Sequence, residues 1–123
     1  YIRDKTMTDD VTIYFNPKCS KCRLSLELLE QEGQQAEIIE YLDTPLDAST
    51  LTSILDMLGM EPRELMRKHE KEYREAGLDN PDLSRADLIR AMIAYPRLIE
   101  RPVVIKNGKA TIGRPPEKIL DIL

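Results

Sequence analysis

Val11-Thr12-Ile13-Tyr14-Phe15 runs through the turn Asn16-Pro17-Lys18 into Cys19-Ser20-Lys21-Cys22, and this junction restricts the chain's possible folds more than any other feature. A short β-rich apolar run fits a buried strand, and the residues from Ser20 onward carry helical spacing. Cysteines at the start of a helix have a physical use. Main-chain N–H groups and the helix dipole lower the pKa of the first thiol, and the thiolate is the nucleophile. The second thiol, three residues on, is close enough to close a disulfide. These are the only two cysteines among 123 residues. That is too few for a secreted disulfide scaffold, so a redox, regulatory or metal-binding pair in a reducing compartment is the expectation.

The rest of the chain can be divided from the same signals. Leu24, Leu28 and Leu29, flanked by Leu26, suit a helix to about Glu32, stopped by Gly33. Residues 36–41 form a second short strand, and Asp43-Thr44-Pro45-Leu46-Asp47 breaks the chain. Leu51, Ile54, Leu55 and Leu58 mark a helix ending at Gly59. Pro62 sits in the first turn of the next helix, expected to continue through Leu65, Met66 and Arg67. His69 is expected to be a solvated residue of a charged helical stretch. Ser84 with Asp87 resembles a capping box opening a third helix, which ends before Pro96. Pro102-Val103-Val104-Ile105 is a strand, Asn107-Gly108 a two-residue hairpin turn, and Lys109-Ala110-Thr111-Ile112 the returning strand. Pro115-Pro116 starts a terminal helix.

The resulting order is βαβ, three helices, then ββα. It predicts an α/β chain with a thioredoxin-like fold: a four-stranded mixed sheet with a helical insertion between the βαβ and ββα units. The cysteine pair then falls at the carboxyl edge of the sheet, where α/β proteins bind ligands. Residues 11–123 read as one domain behind a flexible N-terminal extension over 1–10, in which Tyr1–Thr6 precede Met7 and show no apolar period. A net charge of −4 argues against nucleic acid as a partner. No apolar run is long enough for a membrane span, and the first residues lack a signal-peptide profile, so a cytoplasmic protein is expected. A monomer is the default.

Four spaced motifs carry a more specific likeness: Asn16-Pro17-Lys18-Cys19-Ser20-Lys21-Cys22-Arg23, Glu64-Leu65-Met66-Arg67-Lys68, Glu100-Arg101-Pro102-Val103-Val104, and Ile112-Gly113-Arg114-Pro115-Pro116-Glu117. Together, and in this order from about residue 11 to the C-terminus, they resemble the arsenate reductase family of the glutaredoxin-linked type. The resemblance implies that Cys19 is the nucleophile and that Arg67, Arg101 and Arg114 hold the oxyanion. It implies that Pro102 faces the active thiol after a cis peptide bond. It implies glutathione and glutaredoxin as electron donors, with no bound metal or organic cofactor. Guanidinium groups suit the task, because they give planar, permanently charged, bidentate recognition of tetrahedral oxyanions. Two positions depart from the family pattern. Cys22 stands where many members carry serine, and Phe15 where members often carry histidine. Cys22 opens an intramolecular route, a Cys19–Cys22 disulfide reduced by thioredoxin or glutaredoxin.

Other readings stay open at this level. The cysteine pair as half of a zinc site is weak, since structural zinc takes four ligands and the chain adds only His69. Both thiols as small core residues, or Arg23 as a plain surface charge, are further readings. Met57, Met60, Met66 and Met92 read as core or gap-filling residues. In function, the rival is a redox-sensing transcription regulator of the Spx type, which shares the fold and the cysteine pair and binds RNA polymerase. The Gly113-Arg114-Pro115-Pro116 pattern is expected of the reductases and favours the enzyme. A general thiol–disulfide reductase is the third reading.

Overall fold

Four strands of four residues each form one sheet in the computed structural model, which describes residues 11–123. The extension expected over 1–10 lies outside the described residues. The sheet order is β2-β1-β3-β4, with β1 spanning Val11–Tyr14, β2 Ala36–Ile39, β3 Val103–Lys106 and β4 Lys109–Ile112. β1 runs parallel to β2 and antiparallel to β3, and β3 pairs antiparallel with β4. This is the expected thioredoxin-like arrangement. β1 and β3 are the inner strands, and both are buried: Val11, Ile13, Val103 and Val104 are each at most 1 % exposed.

The chain divides into two compact units, one of residues up to Thr44 together with Arg101–Leu123, the other Pro45–Glu100. In the first unit, helix α1 (Ser20–Gln31) lays Cys22, Ser25 and Leu29 against β1 and β3, in a core shared with Phe15, Cys19 and Ile119. Leu24, anticipated as part of the apolar stripe, is instead half exposed, because a helix of period 3.6 that buries Cys22, Ser25 and Leu29 turns position 24 outward. The hairpin closes at Asn107 and Gly108, both at positive φ (50° and 76°), as a turn that matches strand twist requires. The terminal segment Pro116–Ile122 is a 3₁₀-helix, not the α-helix expected from its apolar spacing, and Ile119 plugs it into the core.

The second unit holds helices α2 (Ala48–Leu58), α3 (Pro62–Leu65), α4 (Lys71–Glu75) and α5 (Arg85–Ala94), followed by a 3₁₀ turn at Pro96–Leu98. α2 opens on Asp47, whose carboxylate accepts from the Thr50 N–H at 2.7 Å, and closes on Gly59 at φ 67°. The Ser84/Asp87 box forms in both directions. Three expectations fail here. α3 stops at Leu65: Met66 is extended and bridges Ile99, and Arg67 donates its N–H to the Leu98 carbonyl at 2.7 Å. A long-range backbone pairing thus overrides local helical spacing. His69 is solvent-exposed as anticipated, yet it sits in a turn and not in a helix. The insertion also has four helices, not three, because α4 is too short to leave a periodic signal. Arg63 ties that short helix down, donating to the Tyr73 hydroxyl at 3.0 Å and to the Leu78 and Asn80 carbonyls at 2.6 Å each. Among the described residues, no helix is long and apolar enough to cross a membrane.

Candidate active site

Asn16 fixes the approach to the first thiol. Its carbonyl accepts from the Cys19 N–H at 2.9 Å, and its side-chain oxygen accepts from the Lys18 N–H at 3.0 Å. The turn leaves Cys19 as the N-cap of α1, in extended conformation. No acidic residue lies in the first turn of α1, so the positive end of the helix is not neutralised from within. Cys19 is 8 % exposed and Cys22 fully buried, and both are free thiols.

The two thiols behave differently. Burial pushes the Cys19 pKa up, but hydrogen bonds from the Cys22 N–H, the Cys22 thiol, the Arg101 guanidinium and the Lys21 N–H prevail and hold it below the ordinary thiol value. Burial pushes Cys22 up to about 12, with the Cys19 charge beside it adding to the rise. The two thiols are thus pushed apart, Cys19 ionising below the ordinary thiol value and Cys22 well above it. One consequence can be measured directly. Alkylation by iodoacetamide at pH 8 is expected to modify Cys19 alone, with a rate that follows a single ionisation centred below that of a free cysteine. The sign follows from the thiolate being the reactive form, so a lowered pKa carries reactivity further towards acid. Modification of both thiols at equal rates, read by mass spectrometry, would contradict the assignment.

Three of the four motifs converge here. The Arg101–Pro102 peptide bond is cis, as anticipated for Pro102, and a second cis bond, Arg114–Pro115, was not anticipated. The Arg114 Nε donates to the Arg101 carbonyl at 2.7 Å while its Nη2 reaches the Cys19 Sγ at 3.6 Å. One guanidinium thus grips both the thiol and the backbone just before Pro102. Arg101 is half-buried. Burial works against its charge, but the Tyr41 phenol and the Cys19 thiolate outweigh this and raise its pKa. The structure therefore brings Cys19, Cys22, Arg101, Pro102 and Arg114 together. Arg67 belongs to the second unit, where it is held by carboxylates: its Nε lies 3.2 Å from Glu70 and its Nη1 2.8 Å from Glu100. Arg23 is exposed and donates to the Pro17 carbonyl at 2.8 Å, bracing the turn before Cys19.

Sequence reasoning missed Tyr41, Glu70 and Glu100. Tyr41 is 1 % exposed, and a buried phenol needs a polar partner; that need was the available signal. Glu100 directly precedes Arg101, inside a quoted motif, but nothing in its spacing links it to Arg67. Among the described residues, no group of three or more His, Cys, Asp or Glu side chains could hold a metal ion.

Comparison with known proteins places this geometry. The chain is 52 % identical over 118 residues to the uncharacterized protein YfgD of Escherichia coli strain K12, covering 95 % of this chain and 99 % of the relative. It is 48 % identical over 115 residues to an arsenate reductase of Neisseria meningitidis serogroup B, covering 93 % and 98 % of the two chains. Among solved structures, an arsenate reductase from Vibrio cholerae superposes with a TM-score of 0.90 at 46 % identity, covering 92 % of this chain and 97 % of that one. The ArsC family model matches residues 14–122, a span that takes in the cysteine turn, the cis proline and Arg114 alike, and by that match the chain belongs to the ArsC family.

Proposed function

We propose that this protein reduces arsenate to arsenite through a covalent adduct on Cys19. The observation that carries the reading is the 3.6 Å contact between Arg114 Nη2 and Cys19 Sγ, which sets a permanent cation beside a stabilised thiolate. Relatives named arsenate reductase at 48 % identity support the substrate. The Cys19 thiolate attacks As(V), an As–S bond forms, and hydroxide leaves as water. A second thiol attacks the Cys19 sulfur, and the As–S electron pair returns to arsenic, which departs as As(III) while a disulfide remains. Arg101, Arg114 and the first N–H groups of α1 are the anion-binding groups, since guanidinium forks and helix N-termini both select oxyanions. Arg67 is carried as a further ligand by resemblance alone.

The second thiol comes from glutathione, with glutaredoxin clearing the mixed disulfide, or from Cys22, with thioredoxin or glutaredoxin reducing the resulting pair. Cys22 lies three residues from the nucleophile and hydrogen-bonds to its sulfur, and adduct formation on Cys19 removes the neighbouring charge that adds to the rise of the Cys22 pKa, which favours the intramolecular route. NADPH oxidation coupled to each donor system, with and without arsenate, tests the reading. Arsenate-dependent turnover in either system supports it, and none in both would overturn it in favour of the RNA polymerase-binding regulator or a general thiol–disulfide reductase. Cys22→Ser is expected to keep oxyanion binding and to shift recycling towards glutathione, losing most turnover when thioredoxin is the sole donor. Unchanged thioredoxin-driven turnover would exclude the intramolecular route.

A further inference from the structure

Gly113 lies between β4 and Arg114. It is not among the glycines at positive φ, so backbone conformation does not demand it. Space does. A Cβ at Gly113 would fall 2.5 Å from the Ser25 Oγ, 2.9 Å from the Pro102 Cγ and 3.4 Å from the Ile119 Cγ2. Side-chain atoms do not tolerate approaches under about 3 Å. Ser25 is fully buried on α1, one turn beyond Cys22, and its Oγ has no hydrogen-bond partner among the described residues. The Gly113 N–H donates to the Pro102 carbonyl at 2.9 Å, and the next residue's Nε donates to the Arg101 carbonyl at 2.7 Å. Gly113 and Arg114 are thus laced to the two residues of the cis bond, and the lacing closes only where the chain passes Ser25 without a side chain.

We infer that Gly113 is a positioning residue, whose close approach to Ser25 and Pro102 sets Arg114 on the Cys19 thiol. Ser25 is the near wall of that passage and not a binding group. The inference rests on the proposed function only in taking Arg114 as the anion ligand, and its main readout involves no arsenate.

The experiment compares Gly113→Ala, Ser25→Ala and the double variant in the full chain. Each is scored by the pH midpoint of Cys19 alkylation by iodoacetamide, by kcat and KM for arsenate, and by melting temperature. Loss of an opposite charge within a few ångströms moves a pKa by about one unit or more. Gly113→Ala is therefore expected to raise the alkylation midpoint by roughly one unit and the arsenate KM by about tenfold. Ser25→Ala alone should match the unaltered protein in all three readouts, since its hydroxyl has no partner to lose. The double variant should recover at least about half of the midpoint shift, because the closest obstacle is gone and the proline ring can pucker away. A folded Gly113→Ala protein with an unshifted midpoint would overturn the inference, as would a double variant no better than the single one. Should Gly113→Ala not fold, the double variant decides. A folded double variant with a midpoint closer to the unaltered protein's than that of Arg114→Lys supports the passage at Ser25, and an unfolded one overturns it. If no variant, nor the unaltered protein, turns over arsenate while the alkylation pattern holds, the proposed substrate fails and the positioning role stands.

Discussion

Cys19→Ser is expected to lower arsenate-dependent NADPH oxidation by a factor of about 10³ or more in either donor system. The exchange keeps the side chain's size and the helix N-cap position. It replaces a thiol held below its ordinary pKa with a hydroxyl that stays protonated, in a site whose described neighbours are cations and N–H donors. Among the described residues no base is placed to activate a serine, so the nucleophile is lost outright. The fold should be barely affected, because serine fills nearly the same space and is itself a favoured N-cap residue; a melting temperature within a few degrees would confirm that the loss is chemical. Oxyanion binding should persist, measured as protection of the variant from thermal unfolding by arsenate. Residual turnover above about a tenth would remove Cys19 from the mechanism.

Arg114→Lys carries the next largest effect. An ammonium on a flexible stem cannot make both of the contacts that Arg114 makes, one to the Arg101 carbonyl at 2.7 Å and one to the Cys19 Sγ at 3.6 Å. Loss of a hydrogen bond to a charged group costs about 1.5–3 kcal/mol, which corresponds to roughly a 10- to 150-fold fall in kcat/KM for arsenate. The fall should appear in both constants, since the same group meets the anion and supports the thiolate, and the Cys19 alkylation midpoint should rise. Retention of more than about half of kcat/KM would show that charge alone, without the fork, is sufficient.

The strand–helix junction at Cys19, the hairpin turn at Asn107-Gly108 and the succession of the four strands along the chain were legible in the sequence because each depends on neighbouring residues. A β-rich run followed by a helix start, or a pair of residues suited to positive φ, declares itself locally. The end of α3 was not legible for the opposite reason. Met66 is drawn into extended backbone by Ile99, more than thirty positions away, and no window around Met66 contains that partner. The 3₁₀ geometry of Pro116–Ile122 escaped similarly, since apolar spacing over seven residues does not separate a tight helix from an α-helix. Within the site, the motifs supplied Cys19, Arg101, Pro102 and Arg114 as neighbours. The partners that hold them, Tyr41 on Arg101 and Ser25 behind Gly113, come from elements distant in sequence and were visible only once the sheet was assembled.

Phe15 lies at the end of β1, buried at 7 % exposure in the same core as both cysteines. With an aromatic hydrocarbon there, the groups that sustain the Cys19 thiolate are main-chain N–H groups, guanidinium groups and a thiol that keeps its proton to about 12. None of them changes charge between weakly acidic and weakly alkaline solution. The described groups around the nucleophile thus keep a constant charge across the physiological range, and acidification acts on the thiolate through its own proton. Acidification is therefore expected to silence this thiol along a single smooth ionisation curve.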